Sequence, residues 1–114
     1  MRPPKLLSAR TVQNHWASLP DWHAAGGNQE LVGYFRLPDL STAIMASATA
    51  LILAKTWSGH ARVESCGLEV VVHFTTPAVG GVTRTDLRLA ERFSDPELGF
   101  ARFADRSVAL QEGR

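Results

Sequence analysis

Residues 39 to 58 contain neither proline nor glycine, and that run limits the fold more than any other stretch of this chain. Leu40, Ala43, Ile44, Ala48, Leu51 and Ile52 recur at helical spacing, which predicts a helix over residues 40–57. Asp39 or Ser41 can cap its start, and Ser58-Gly59 stops it. Its surface is nearly apolar all round, and Ala43, Ala46, Ala48 and Ala50 keep it slim. A slim apolar helix packs closely against a sheet. The remaining elements must therefore supply that sheet.

Four strands are readable on either side of the helix. Trp22 to Ala25 is short and runs into the turn Ala25-Gly26-Gly27-Asn28. Leu31 to Leu37 puts Leu31, Phe35 and Leu37 on one side. Arg62 to Cys66 forms a third strand, and Leu68 to Thr75 is the clearest, because Val70, Val71 and Val72 favour a buried pleated surface. A first helix is predicted from about Ser8, its N-cap, to Leu19, with Val12, His15, Trp16 and Leu19 on one face and Pro20 ending it. Thr76 to Gly81 is a loop. Thr83-Arg84-Thr85-Asp86 then opens a last helix as a capping box, with Asp in the place of Glu, and leads into Leu87, Leu89, Ala90 and Phe93. Strand pairs alternating with helices predict an α+β fold, a four-stranded antiparallel sheet with three helices packed on one face.

Length and charge narrow the function classes. With 114 residues the chain is a single domain of ordinary composition, and its net charge of +1 argues against a nucleic-acid partner. The densest basic set, Arg84, Arg88 and Arg92, makes a stripe along one helix face. One cysteine, Cys66, excludes an internal disulfide and any multi-cysteine metal site. His60 has no His, Cys or paired carboxylate at ligand spacing, so no metal is expected. Cys66 with His60 could form a nucleophile and base, but a thiol within a short strand is better read as structural. The glycine pairs lack the pattern of a phosphate loop. No apolar run reaches the ~20 residues of a membrane span, and no signal peptide is visible, so a cytoplasmic protein without a membrane partner is expected.

The chain resembles the pterin-4a-carbinolamine dehydratase family over about residues 10 to 94. Asp21-Trp22 stands where the family has Gly-Trp, and Tyr34-Phe35-Arg36-Leu37-Pro38-Asp39-Leu40 followed by Ala43 and Ala46 matches its aromatic segment and helix. The most specific block is Gly81-Val82-Thr83-Arg84-Thr85-Asp86-Leu87-Arg88-Leu89-Ala90, after the family's Gly-Leu-Thr-x-x-Asp-x-x-Leu-Ala. The resemblance implies the family fold and a site at Ser58-Gly59-His60-Ala61-Arg62. There the family reads His-His-Pro, with a further histidine at the position of Pro77. In the family these imidazoles move protons while a hydroxyl leaves the pterin, help that typically contributes about 10²–10⁴-fold. Glycine, alanine and proline cannot titrate near neutral pH. The tryptophan and tyrosine that can follow the motif align with Val63 and Gly67, which weakens a flat pterin slot.

The resemblance therefore implies a scaffold without its catalyst: vestigial His60 and Asp86, no cofactor, and lost dehydratase activity. Asp86 also has a sufficient role as a helix cap, and His60 as a loop residue. The altered motif and the added segment after residue 94 resemble the degenerate branch that serves as a Rubisco assembly factor of α-carboxysomes. That branch implies Rubisco as partner, carboxysome association and a homo-oligomer, a dimer. The alternative is a weak or altered dehydratase using His60. Trp57, His60, Arg62, Arg84 and Arg88 are the candidate protein contacts. The domain is expected over residues 1–94. Residues 95–114, where Leu98, Phe100 and Phe103 alternate with polar residues, are expected as an extension packed on the domain or at an oligomer interface. His73 is expected as a cross-strand surface residue, and nothing in the sequence places His15 or His23 at the site.

Overall fold

In the computed structural model, residues 5–15, 18–26 and 29–105 are described. The order is α1 (Ala9–Gln13), β1 (Trp22–Ala25), β2 (Glu30–Arg36), α2 (Leu40–Thr56), β3 (His60–Cys66), β4 (Glu69–Thr75) and α3 (Arg84–Phe93), with short 3-10 turns at Pro77–Val79 and Ala101–Phe103. The four strands form one sheet in the order β1-β2-β4-β3, and every neighbouring pair is antiparallel. The α+β architecture read from the sequence is the one found.

Packing follows from the alternation along each strand. Leu31, Phe35, Val70, Val72 and Phe74 turn inward, and α2 covers them with Ala43, Ala46, Ala50 and Ala54. These small side chains let the helix lie close across β3 and β4, while its larger residues point outward. Next to it α3 buries Leu87, Leu89, Ala90 and Phe93. Phe93 stands at the centre of an aromatic cluster, 5.1 Å from Phe35, 5.2 Å from Phe100 and 6.1 Å from Trp22 between ring centroids. Trp22 fixes the same corner by donating its indole N–H to the Ser94 hydroxyl at 2.7 Å.

After α3 the chain turns back along the sheet. Phe100 is buried against Phe93, Ala104 bridges Phe35, and the Asp105 amide donates to the Tyr34 carbonyl at 2.7 Å. β1 ends its pairing at Gly33, so this segment takes the stretch of β2 edge that β1 leaves open. Residues 106–114 lie outside the described residues.

The first helix is shorter than its pattern predicts. Ser8 does cap it, accepting from the Thr11 amide at 3.2 Å. However, the His15 ring bonds the Thr11 carbonyl at 2.9 Å, and the His15 amide turns to Val12 instead. The helix therefore closes at Gln13 with Asn14 as its cap. Val12 and Leu19 are buried as expected, and Trp16 lies outside the described residues.

At its far end α2 closes through a Schellman pair: Gly59 N–H to the Ala54 carbonyl at 2.7 Å, and Ser58 N–H to the Lys55 carbonyl at 3.3 Å. This geometry puts Ser58, not a glycine, in the left-handed region at φ 57°. A side chain there is strained. Ser58→Gly is expected to stabilise the chain by about 0.5–1 kcal/mol, read as a higher urea midpoint at unchanged slope. An unchanged or lower midpoint would show that the serine side chain compensates the strain.

Candidate functional site

The candidate site forms where three elements end together. His60 is the first residue of β3 and sits opposite Thr75 at the end of β4. The chain leaves β4 through Thr76 and returns at Gly81, which pairs with Thr76, to start α3 at Thr83. Asp86 is the third residue of that helix and is fully buried. One of its oxygens, Oδ2, accepts from the Thr83 amide at 2.8 Å, the Thr76 hydroxyl at 2.8 Å and the Thr83 hydroxyl at 3.3 Å. The capping box predicted from Thr83 and Asp86 is thus present, and Thr76 joins it from the sheet. The other oxygen, Oδ1, has no hydrogen-bond partner.

Burial pushes the Asp86 carboxyl above its ordinary range. The Thr83 and Thr76 hydrogen bonds and the charge of His60 pull the opposite way without cancelling it. His60 itself is exposed and lies within electrostatic reach of this acid. The two make no direct hydrogen bond, since Oδ2 of Asp86 is held by Thr76 and Thr83 and Oδ1 has no partner.

The space beside Gly59 is tightly filled. A Cβ added to Gly59 would stand 2.6 Å from Leu89 Cδ1 and 3.3 Å from the Thr85 methyl. Leu89 is fully buried, so it has little freedom to withdraw. Gly59→His is expected to cost about 1–3 kcal/mol through overpacking, and pairing it with Leu89→Ala should recover part of that loss. Urea denaturation of the single and double variants checks this. An additive loss would mean that the crowding is not at Leu89. Pro77, where the family has its further histidine, is exposed at the start of a 3-10 turn.

The sequence candidates do not all gather here. Trp57, at the end of α2, lines an open cleft of about 400 Å³ with Arg88, Glu91 and Arg92 of α3. Arg84 lines a different cleft of about 560 Å³, shared with Lys5, Leu7, Ser8, Thr11, Thr83 and Thr85. Arg62 belongs to neither. It bonds Glu30 at 3.3 Å and Glu64 at 3.4 Å on the face of the sheet away from α2.

The same face corrects the expectation for His73. Its side chain is 9% exposed, and its two ring nitrogens meet Glu30 at 2.8 Å and Glu64 at 2.6 Å. The hydrogen bond from His73 is the main reason that the Glu64 carboxyl sits below its ordinary range. Arg62, Glu64 and His73 become neighbours through the β3–β4 register, and Glu30 joins across β2. Alternation gave their common face, but only the strand order brings them together. His23 is also buried and stacks on Tyr34, with ring centroids 5.6 Å apart. Cys66 is a free, exposed thiol on the edge strand. Among the described residues no group of three His, Cys, Asp or Glu side chains could hold a metal ion. No described helix is long and apolar enough to cross a membrane.

This fold, with one end of the sheet meeting the start of α3, is that of the pterin dehydratases. The crystal structure of a transcriptional coactivator/pterin dehydratase from Brucella melitensis superposes with a TM-score of 0.72, covering 79% of this chain and 96% of that one at 23% identity. The family model for pterin 4 alpha carbinolamine dehydratase matches residues 5–95. A Prochlorococcus marinus protein, provisionally described as a pterin-4-alpha-carbinolamine dehydratase, is 31% identical over 87 residues, or 76% of this chain and 88% of its own length. The chain belongs to the pterin-4a-carbinolamine dehydratase family.

Proposed function

We propose that this chain is a non-catalytic member of its family that acts as an assembly factor for Rubisco in the α-carboxysome. The observation that supports the loss of catalysis is the motif itself, in which Gly59, Ala61 and Pro77 carry no group that titrates near neutral pH. With Ala61 packed toward the core and Pro77 in its turn, His60 is the one imidazole left at the motif positions. A single exposed imidazole cannot supply the several positioned proton donors and acceptors that the dehydration requires.

The client surface in this reading is the cleft of Trp57 and Arg88, with Arg92 beside it, since aromatic and arginine side chains are the usual anchors of interfaces. His60, Arg62 and Arg84 form its outlying contacts. Rubisco is named through the resemblance of the altered motif and the segment after residue 94 to the degenerate branch. Cytoplasmic, carboxysome-associated localisation and a homodimer follow from the same resemblance.

A second reading rests on one observation. His60 lies within electrostatic reach of Asp86, whose buried Oδ1 is unpartnered, so a weak or altered dehydratase using His60 is the alternative. Dehydration of 4a-hydroxy-tetrahydropterin by the purified chain and by His60→Ala separates the two. Rates equal to the uncatalysed reaction in both are expected, together with a higher yield of assembled Rubisco on co-expression. That gain should be lost in Trp57→Ala/Arg88→Glu. A clear rate that disappears in His60→Ala would overturn the proposal.

A further inference from the structure

Three arginines stand on the open face of α3, and the helix itself gains nothing from them. Arg84, Arg88, Glu91 and Arg92 are its exposed residues, while Leu87, Leu89, Ala90 and Phe93 enter the core. Arg84 is the first residue of the helix, where a cation opposes the helix dipole by about 0.3–1 kcal/mol. Arg84 with Arg88, and Arg88 with Arg92, are like charges four residues apart, each pair unfavourable by about 0.2–0.5 kcal/mol. On the sheet the arginines are paired: Arg36 meets Glu69 at 3.2 Å and Arg62 meets Glu30 at 3.3 Å. Among the described residues Arg84 and Arg88 have no such carboxylate, and Arg92 reaches only Asp95 at 3.5 Å. Charges that work against their own helix point to a use outside the chain.

Two clefts lie at the ends of this face. At its start, Arg84 and Thr85 share the cleft of about 560 Å³ with Lys5. At its far end, Arg88, Glu91 and Arg92 share the cleft of about 400 Å³ with Trp57, which is 40% exposed. Arg92 follows Arg84 by eight positions, so the arginines run about 12 Å along the helix, with about 6 Å between neighbours. Alternate side chains of an extended peptide stand about 6.6 Å apart on one side, nearly the same step. Two alternate carboxylates on such a segment therefore fall in register with Arg84 and Arg88. The next side chain on that side arrives at the Trp57 cleft.

We propose that the exposed face of α3, from Lys5 to Trp57, binds an extended acidic segment of another protein. Alternate Asp or Glu side chains of the segment pair with Arg84 and Arg88, and an apolar side chain packs on Trp57. Lys5 takes a further carboxylate beyond Arg84. Glu91 favours a peptide over a nucleic acid: among the arginines its carboxylate can accept a backbone N–H of an extended chain. A phosphodiester strand brings no backbone donor, and Glu91 repels it. The inference rests on the reading of the Trp57 and Arg88 cleft as a client surface and names the chemistry of what binds there. It does not require that the client be Rubisco.

The test titrates the full chain with a fluorescent peptide, Gly-Ser-Glu-Ser-Glu-Ser-Phe-Ser-Gly, and with a copy in which both Glu are Gln. The acidic peptide is expected to bind at least tenfold more tightly, and its advantage should shrink as salt rises, because the contacts are exposed. Arg84→Glu/Arg88→Glu should weaken it at least tenfold, whereas Arg36→Glu on the sheet should leave it unchanged. Trp57→Ala and loss of the peptide's Phe should each weaken binding severalfold, and together no more than either alone. If the double arginine variant fails to fold, amide chemical shifts of the parent chain decide: the peptide should move the α3 signals and the Trp57 indole N–H. Equal binding of the Gln peptide would overturn the inference. So would shifts confined to other elements, or an oligothymidylate that binds through the same arginines more tightly than the peptide. Peptide binding without any gain in assembled Rubisco would uphold the acidic-segment site and sink the Rubisco role. A gain in Rubisco without peptide binding would do the reverse.

Discussion

Phe93→Ala is expected to cost about 3–5 kcal/mol, a large share of the 5–15 kcal/mol that holds an ordinary domain together. Phe93 is fully buried and its ring meets Trp22 of β1, Phe35 of β2 and Phe100 of the final segment. Removing it opens a cavity where three separately placed parts of the chain converge, and none of the rigid neighbours can collapse into it. The variant should also free the last segment, since Phe100 loses its stacking partner. Urea denaturation measures the first effect, and limited proteolysis within residues 97–105 measures the second. A loss under ~1 kcal/mol would mean that this cluster does not tie the segment to the sheet. Phe100→Ala should release the segment at a smaller cost to the domain, because it removes one ring contact rather than three.

Asp86→Ala is expected to destabilise the chain by about 2–4 kcal/mol at neutral pH. It removes a capping box and leaves the Thr83 amide and the Thr76 hydroxyl without their shared acceptor. Asp86→Asn keeps the shape and isolates the charge. Burial raises the folded-state pKa of Asp86 above its ordinary 3.8, so the folded chain holds this proton more tightly than the unfolded one. The stability this contributes is fully present below the unfolded pKa and is lost as pH rises through the folded value. The stability of the parent chain minus that of Asp86→Asn should therefore fall with rising pH across that window and level off above it. Glu64 and Asp39, whose pKa values are lowered, act in the opposite direction in both proteins. Their stability is present above the unfolded values and is lost as pH falls through the folded ones, so the subtraction removes them. A flat difference would show that Asp86 is not desolvated.

The contrast between Asp86 and its neighbour Gly59 shows how far sequence reasoning reaches at this site. The capping box was visible from the spacing of Thr83 and Asp86, because it depends only on residues within one helical turn. The absence of a histidine at 59 was visible too. That Leu89 lies against Gly59 was not, since 59 and 89 meet only through the packing of α2 against α3. Likewise Thr76 reaches Asp86 only because the loop folds back through the bridge from Thr76 to Gly81.

The sequence by itself determined the elements whose signals are local. These are the long slim helix, the valine-rich strand, the caps at Asp39 and Thr83, and the α+β order, each set by periodicity and turn chemistry within a few residues. It overran at α1, where the His15 ring takes the Thr11 carbonyl and the helix closes early. Only the tertiary structure decided the strand order, and with it the burial of His73 between two glutamates and the removal of Arg62 to the far face. It alone decided that α2, apolar on every side, shows its large residues to solvent and its alanines to the sheet. Periodicity names the faces of an element, and which face is covered depends on contacts far apart in sequence.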